Sequence, residues 1–287
     1  MRIANLSGRL VLITEEGTAV DVENASGAVF SADPQAVYAR WAEFRAWAAD
    51  ADLPPGTNFD AADLGSPAPA PRQVLAIGLN YRDHASESGF TAPEGLPPVF
   101  TKFATSITGP VTDVVLPTGG HTDWEIELVA VIGAHAHHVD QADAWSHVAG
   151  LAVGQDLSER IVQLAGPAPQ FSLGKSFPGF APIGPWLVTP DGFEDPDDLE
   201  LRTTINGEEV QKGRTRDLIF SVPALIAGLS AVLPLLPGDV IFTGTPAGVG
   251  LGRTPQRWLT TGDVLVSTIE GIGELRQRFR SAQLSAE

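Results

Sequence analysis

Two glutamates separated by one residue head the most informative segment of this 287-residue chain, Asp123-Trp124-Glu125-Ile126-Glu127-Leu128-Val129-Ala130-Val131-Ile132-Gly133. The apolar run predicts a strand over 124–133, and residues two apart on a strand project from the same face. Glu125 and Glu127 then stand side by side, roughly 7 Å apart at Cα, with Ile126 and Leu128 on the opposite face. Carboxylates this close repel unless a cation sits between them. All-oxygen ligation is what Mg²⁺, Mn²⁺ or Ca²⁺ prefers. A solvated edge strand would carry the same pattern at little cost, and on spacing alone it is the commoner case. A third acid, Asp156, ends the apolar run Val148–Gln155. It can ligate a cation or cap the residues that follow, and its two oxygens make the roles compatible.

A second constellation lies in Gly78-Leu79-Asn80-Tyr81-Arg82-Asp83-His84-Ala85-Ser86-Glu87. If 81–88 form a helical turn, His84 and Glu87 share a face at i, i+3. A carboxylate beside an imidazole raises its basicity and fixes its tautomer, which suits a general base. An ordinary exposed His–Glu pair would look the same. Lys175 sits in Gly174-Lys175-Ser176, but Pro169 stands where a phosphate loop needs glycine, so that reading fails. The turn Thr243-Gly244-Thr245-Pro246-Ala247-Gly248-Val249-Gly250 follows a strand and offers hydroxyls and backbone N–H groups of the kind that hold carboxylates, or a purely structural bend. The tract His135-Ala136-His137-His138 lies past a strand end and reads as a solvated turn.

The elements that must position these groups are short, because 30 glycines and 23 prolines punctuate the chain. Residues 3–14 and 18–22 read as strands, and Asp33-Pro34 opens a helix carrying Val37, Trp41, Phe44, Trp47 and Ala48. The Pro-rich stretch that follows divides the chain into a small N-terminal α/β module (1–65), a connector (66–72) and a catalytic domain (73–287). Within the last, strands are expected at 74–79, 98–103, 124–133, 148–155, 185–189, 199–205, 239–243 and 263–270. Asn206-Gly207 marks a two-residue hairpin. Helical periodicity is convincing only at 141–147 and 217–232. Runs of strands without regular βαβ alternation predict a β-rich α+β fold, not a doubly wound sheet.

Composition narrows the function. The chain carries 18 Lys+Arg against 35 Asp+Glu, a net charge of −17, which repels phosphate backbones and anionic lipid and argues against nucleic-acid or membrane partners. The absence of cysteine removes thiolate metal sites, disulfides and Cys nucleophiles, and fits a reducing cytosol. No stretch approaches the ~18 apolar residues of a membrane helix, and the start of the chain does not read as a signal peptide. A cytoplasmic location is expected.

Taken in order, the segments resemble the fumarylacetoacetate hydrolase family from about Val74 to Arg280. The resemblance is carried by Gly-Leu-Asn-Tyr-Arg-Asp-His (78–84), Trp-Glu-Ile-Glu-Leu (124–128), Gly154-Gln155-Asp156, Gly-Lys-Ser-Phe (174–177), Ala-Pro-Ile-Gly-Pro-Trp (181–186), Asn-Gly-Glu (206–208) and the Pro-Gly-Asp-Val-Ile-Phe-Thr-Gly-Thr-Pro-Ala-Gly-Val-Gly run (237–250). It implies a mixed β-sandwich roll core, a divalent metal (usually Mg²⁺ or Mn²⁺), a homodimer, and a 2-oxo acid substrate. Members hydrolyse acylpyruvates, decarboxylate oxaloacetate-like compounds or isomerise dienedioates. On matched positions Glu125, Glu127 and Asp156 would be metal ligands, His84 and Glu87 a water-activating dyad, and Lys175 an electrostatic stabiliser. Arg160, Gln163 and Thr245 fall where members contact substrate. One departure stands out: many relatives read Ser-Ala-Arg-Asp after the metal aspartate, and this chain has Ser158-Glu159-Arg160-Ile161.

These parts suit C–C hydrolysis of a 2,4-dioxo acid, since a Lewis acid can stabilise the departing pyruvate enolate and His84 can activate water. Tautomerase and decarboxylase activities share that enolate. A non-enzymatic module holding structural Ca²⁺ would account for the acids but leaves His84, Glu87 and Lys175 without a task. Residues 85–98, rich in Gly and Pro, are expected to form a lid.

Overall fold

The computed structural model describes residues 1–87 and 95–282. The expected lid falls largely on 88–94, outside the described residues. The framework is a mixed sheet whose main path runs Ala19–Asp21, Arg9–Ile13, Arg2–Leu6, Ala181–Val188, Val148–Gln155, Ile126–Ile132, Val240–Phe242, Val74–Ile77, Val99–Thr101. A second sheet orders Glu208–Arg214, Glu200–Ile205, Val264–Ile269, Gly273–Ser281 and Val111–Leu116. The result is the β-rich α+β fold that the sequence implies.

The Ile126–Ile132 strand is buried along its whole length, so both faces must be apolar. Ile126, Leu128, Ala130 and Ile132 enter a core shared with Leu201, Ile269 and Leu275 of the second sheet and with Leu225, Ile226 and Leu229 of the helix Val222–Ser230. Val129 and Val131 enter another core, with Phe242, Tyr38, Trp41 and Phe44. Each such side chain contributes about 1.5–3 kcal/mol of transfer free energy. Glu127 belongs to the Val129/Val131 face by alternation. The sheet therefore carries its acid at the end where that core stops.

Residues 1–65 share this framework. Arg2–Leu6 pairs antiparallel with Ala181–Val188, and Ile3, Leu10 and Leu12 join the core that holds Phe242. The Pro-rich stretch is packed as well: Tyr38 donates its hydroxyl to the Pro67 carbonyl at 2.9 Å.

Several elements differ from their expected form: the run at 3–14 forms two strands, Arg2–Leu6 and Arg9–Ile13, and the strand expected at 185–189 is Ala181–Val188. The helix expected at 217–232 occupies Val222–Ser230, after one 3-10 turn at Thr215–Asp217. Asn80 is the cause: its backbone carbonyl and side-chain oxygen accept the N–H groups of Ile219 and Phe220, holding 218–220 out of the helix until Ser221 caps it. The 141–147 segment is a 3-10 helix without a side-chain cap. The strand expected from 124 begins at Ile126, because the N–H groups of Glu125 and Ile126 go to the side chains of Gln155 (3.0 Å) and Gln211 (3.1 Å). The Asn206-Gly207 hairpin forms as its turn chemistry requires, with both residues at positive φ. Within the described residues no helix is long and apolar enough to cross a membrane.

Candidate active site

The three acids converge. Glu125, Glu127 and Asp156 are buried, and each offers an oxygen within 4.8 Å of the others. Glu125 and Glu127 come from the head of one strand, and Asp156 from the end of its neighbour, Val148–Gln155. Antiparallel register sets this meeting, since Ile126 pairs with Gln155 and Asp156 N–H reaches the Glu125 carbonyl at 2.9 Å.

Three buried cations face the acids. Lys175 Nζ lies 2.7 Å from Glu125 Oε2 and 2.6 Å from Asp156 Oδ2. Lys102 Nζ reaches Asp156 Oδ1 at 2.5 Å and also the Lys175 carbonyl. Arg160 Nη2 lies 2.7 Å from Glu125 Oε1. Burial alone would raise the Glu125 carboxyl, but Lys175 and Arg160 outweigh it and hold it at about 2. Burial would lower the Lys175 ammonium, yet Asp156 and Glu125 push it above its ordinary value. Lys102 is brought below its ordinary value by burial, against the pull of Asp156.

Glu127 is different. Burial and the charges of Asp156 and Glu125 push its carboxyl well above the usual range. Its recorded hydrogen bond comes from Gly244 N–H to Oε2 at 2.7 Å. Gly244 has φ +105, and a Cβ there would meet Asn80 Cβ at 2.7 Å, so the approach needs glycine. An acid raised by like charge, within a compact set of hard oxygen donors, fits a divalent cation.

Four amides of the glycine-rich turn and the residue after it are taken up within the chain. They bind this chain's own acids: Gly244 holds Glu127, Gly248 holds Glu87 (3.1 Å to both oxygens), and Gly250 and Leu251 hold Asp123 (2.6 and 2.9 Å). The turn is thus a positioning frame for three carboxylates.

His84 is buried on the helix Arg82–Glu87, and its Nδ1 lies 3.6 Å from Glu87 Oε2, an ion-pair distance too long for a hydrogen bond. Burial opposes ionisation of Glu87, but His84 and the Gly248 amide hold its carboxyl below the ordinary value.

A cavity of about 220 Å³ joins these parts. His84, Glu125, Glu127, Arg160, Gln163, Lys175 and Thr245 all line it. Asp156 and Glu87 stand behind this wall, tied to the lysines and to the glycine turn. All nine residues singled out from the sequence therefore fall in one region.

Two participants were not singled out. Asp123 accepts Arg160 Nε and Nη2, and Arg160 Nη1 donates to Gln163 Oε1 at 2.8 Å. The signal was present, as 123, 125 and 127 are acids at period two. Lys102 follows the strand Val99–Thr101, between Thr101 and Phe103, and only its complete burial reveals it. Glu159, one of the two positions that depart from the relatives' motif, accepts the N–H groups of Ile161 and Val162 and so caps the helix Arg160–Gln163, while Ile161, the other, is exposed. The histidine tract at 135–138 is an exposed turn as expected, outside the cavity.

Residues 73–280 match the family described as fumarylacetoacetate (FAA) hydrolase C-terminal. The chain is 44% identical over 216 residues to 2,4-didehydro-3-deoxy-L-rhamnonate hydrolase of Sphingomonas sp. (strain SKA58), covering 75% of each chain. A solved structure from Mycobacterium smegmatis, provisionally named an HpcE protein, is 56% identical, superposes with a TM-score of 0.95, and aligns over 99% of this chain and 100% of its own. Maleylpyruvate hydrolase from Sphingobium sp. SYK-6, solved with manganese(II) and pyruvate, is 29% identical with a TM-score of 0.77 over 99% and 100% of the two chains. With these matches spanning the strands that carry the acid triad, the chain belongs to the fumarylacetoacetate hydrolase family.

Proposed function

We propose that the protein is a divalent-metal-dependent hydrolase that cleaves the C–C bond of acylpyruvate-type 2,4-dioxo acids to pyruvate and a carboxylic acid. One observation carries the reading: Glu125 and Glu127 of the buried acid triad line the same cavity as His84 and Lys175, with Asp156 clustered behind them. The triad would hold Mg²⁺ or Mn²⁺. The bound cation would supply a Lewis acid for the 2-oxo acid end of the substrate.

The chain's own residues do the rest. His84, with Nδ1 beside Glu87, takes a proton from water as the water oxygen bonds to the 4-oxo carbon. The C3–C4 bond then breaks, its electron pair stays on C3 as the pyruvate enolate, and a proton returned from the imidazolium completes pyruvate. Lys175 remains an ammonium, because its carboxylate neighbours raise its pKa, and it sets positive charge where the oxyanion develops. Gln163 Oε1 is taken by Arg160 and Thr245 Oγ1 accepts from Gln211 at 2.8 Å. That leaves the Gln163 amide nitrogen and the Thr245 hydroxyl hydrogen to orient substrate. Arg160 is fixed by Asp123 and shapes the electrostatics of the site.

A homodimer accompanies this reading. It is supported by the family and by exposed apolar side chains near the cavity mouth, among them Ile161 and Leu173 on the segments flanking Leu164 and Phe171. A panel of acylpyruvates and oxaloacetate, incubated with metal-stripped protein and then with Mn²⁺ or Mg²⁺, tests the function through pyruvate release. Pyruvate only in the presence of metal is expected. Keto–enol interconversion without pyruvate from any 2,4-dioxo acid would assign a tautomerase instead.

A further inference from the structure

Besides its polar groups the cavity is lined by Ile77, Pro98, Phe100, Leu164, Phe171 and Leu251, with the Phe100 ring centroid 5.0 Å from Lys175 Nζ. Among the described residues its lining cations are Arg160 and Lys175, and both are engaged. Every nitrogen of the Arg160 guanidinium has a partner: Nε and Nη2 on Asp123, Nη2 also on Glu125, Nη1 on Gln163. Lys175 Nζ is shared between Glu125 and Asp156, at the reacting end. Lys102 is completely buried behind them on Asp156 and two backbone carbonyls. The residues between Glu87 and Gly95, Ser-Gly-Phe-Thr-Ala-Pro-Glu, contain no lysine or arginine. Among the described residues, the cations lining this pocket are therefore already engaged with acids or amide oxygens.

That matters for the substrate. A 2,4-dioxo acid has one carboxylate at its 2-oxo end, where the lysine and the bound cation meet it. A second carboxylate at the acyl end would be desolvated against leucine, proline and phenylalanine with no unengaged counter-charge among the described lining residues, a burial that costs heavily. The net charge of −17 adds a repulsive field for a dianion. We infer that the pocket selects 2,4-dioxo acids whose acyl end is uncharged and largely apolar, and rejects those ending in a second carboxylate. This rests on the 2-oxo acid reading above for the identity of the substrate, but it concerns binding and can be read without turnover.

A matched pair of ligands isolates the charge: 4-methylpentanoylpyruvate and succinylpyruvate, whose acyl ends differ by isopropyl against carboxylate. Calorimetric affinities are measured on Mn²⁺-loaded His84→Ala, which lacks the proposed base, and kcat/KM on the parent enzyme. The neutral ligand should bind at least about 100-fold more tightly, with a kcat/KM ratio in the same direction. Leu164 is 45% exposed at the cavity rim, so Leu164→Arg can place a guanidinium over the acyl end without burying it. That variant should narrow the affinity ratio about tenfold or more. Equal or tighter binding of succinylpyruvate by His84→Ala overturns the inference and leaves the hydrolase reading intact. Selective binding of the neutral ligand with no pyruvate formed by the parent overturns the hydrolase reading and supports the inference. If neither ligand binds, both fall. Should Leu164→Arg fail to fold, the affinity ratio in His84→Ala still decides.

Discussion

Arg160 places both Nε (2.9 Å) and Nη2 (2.7 Å) on one oxygen of Asp123, Oδ2, while the other oxygen, Oδ1, accepts Gly250 N–H at 2.6 Å. Asp123 thus ties the segment carrying Arg160 and Gln163 to the glycine turn that holds Glu87 and Glu127. Removing one partner of such a buried pair leaves an uncompensated charge and typically costs about 3–5 kcal/mol. Asp123→Asn should lower the urea midpoint accordingly and reduce kcat/KM, because Gln163 and the turn lose their common anchor. A variant as stable as the parent would remove Asp123 from this role.

Lys102 and the proposed cation would compete for Asp156. The lysine is fully buried and holds Asp156 Oδ1, so Lys102→Met should destabilise the metal-free protein. The same change removes a positive charge from beside the triad. The thermal shift on saturating Mn²⁺ should therefore be larger in Lys102→Met than in the parent. An equal or smaller shift would show that Lys102 does not oppose metal binding.

Glu127 carries the pH dependence. Its folded pKa is raised by burial and by Asp156 and Glu125, so its contribution to metal-free stability is fully present below the unfolded value of ~4.3 and is lost as pH rises through the raised value. Ligation needs the carboxylate, so Mn²⁺ affinity should increase with pH over that window, with release of a proton on binding. Calorimetry in two buffers of different ionisation heat measures that proton. Glu127→Ala should abolish both the metal affinity and the proton release. A pH-independent affinity with no proton released would exclude Glu127 as a ligand.

The site was legible in the sequence wherever backbone periodicity does the positioning. Glu125 and Glu127 share a face because strands alternate, and His84 and Glu87 meet because one helical turn brings i and i+3 together. Asp156 reaches them through the register of two neighbouring strands, which the run Val148–Gln155 hinted at by its length and apolarity. What local pattern could not supply was long-range hydrogen bonding. Asn80 breaks a helix 140 residues away, Gln155 and Gln211 delay a strand by taking its first amides, and the glycine turn gives several amides to this chain's own acids. Lys102 escaped notice for the same reason: its partner is 54 residues distant.

His84 is proposed to activate water in a site whose metal would be held by other residues. General-base assistance is worth about 10²–10⁴-fold. The decisive measurement is pyruvate release from an acylpyruvate by parent and His84→Ala, each saturated with Mn²⁺, alongside Mn²⁺ affinity and the rate of enol–keto interconversion on the same preparations. The account predicts that His84→Ala loses hydrolysis by that factor, keeps the parent's Mn²⁺ affinity and retains most of any interconversion, with Glu87→Gln showing a smaller loss in the same direction. Hydrolysis by His84→Ala at the parent's rate would contradict it.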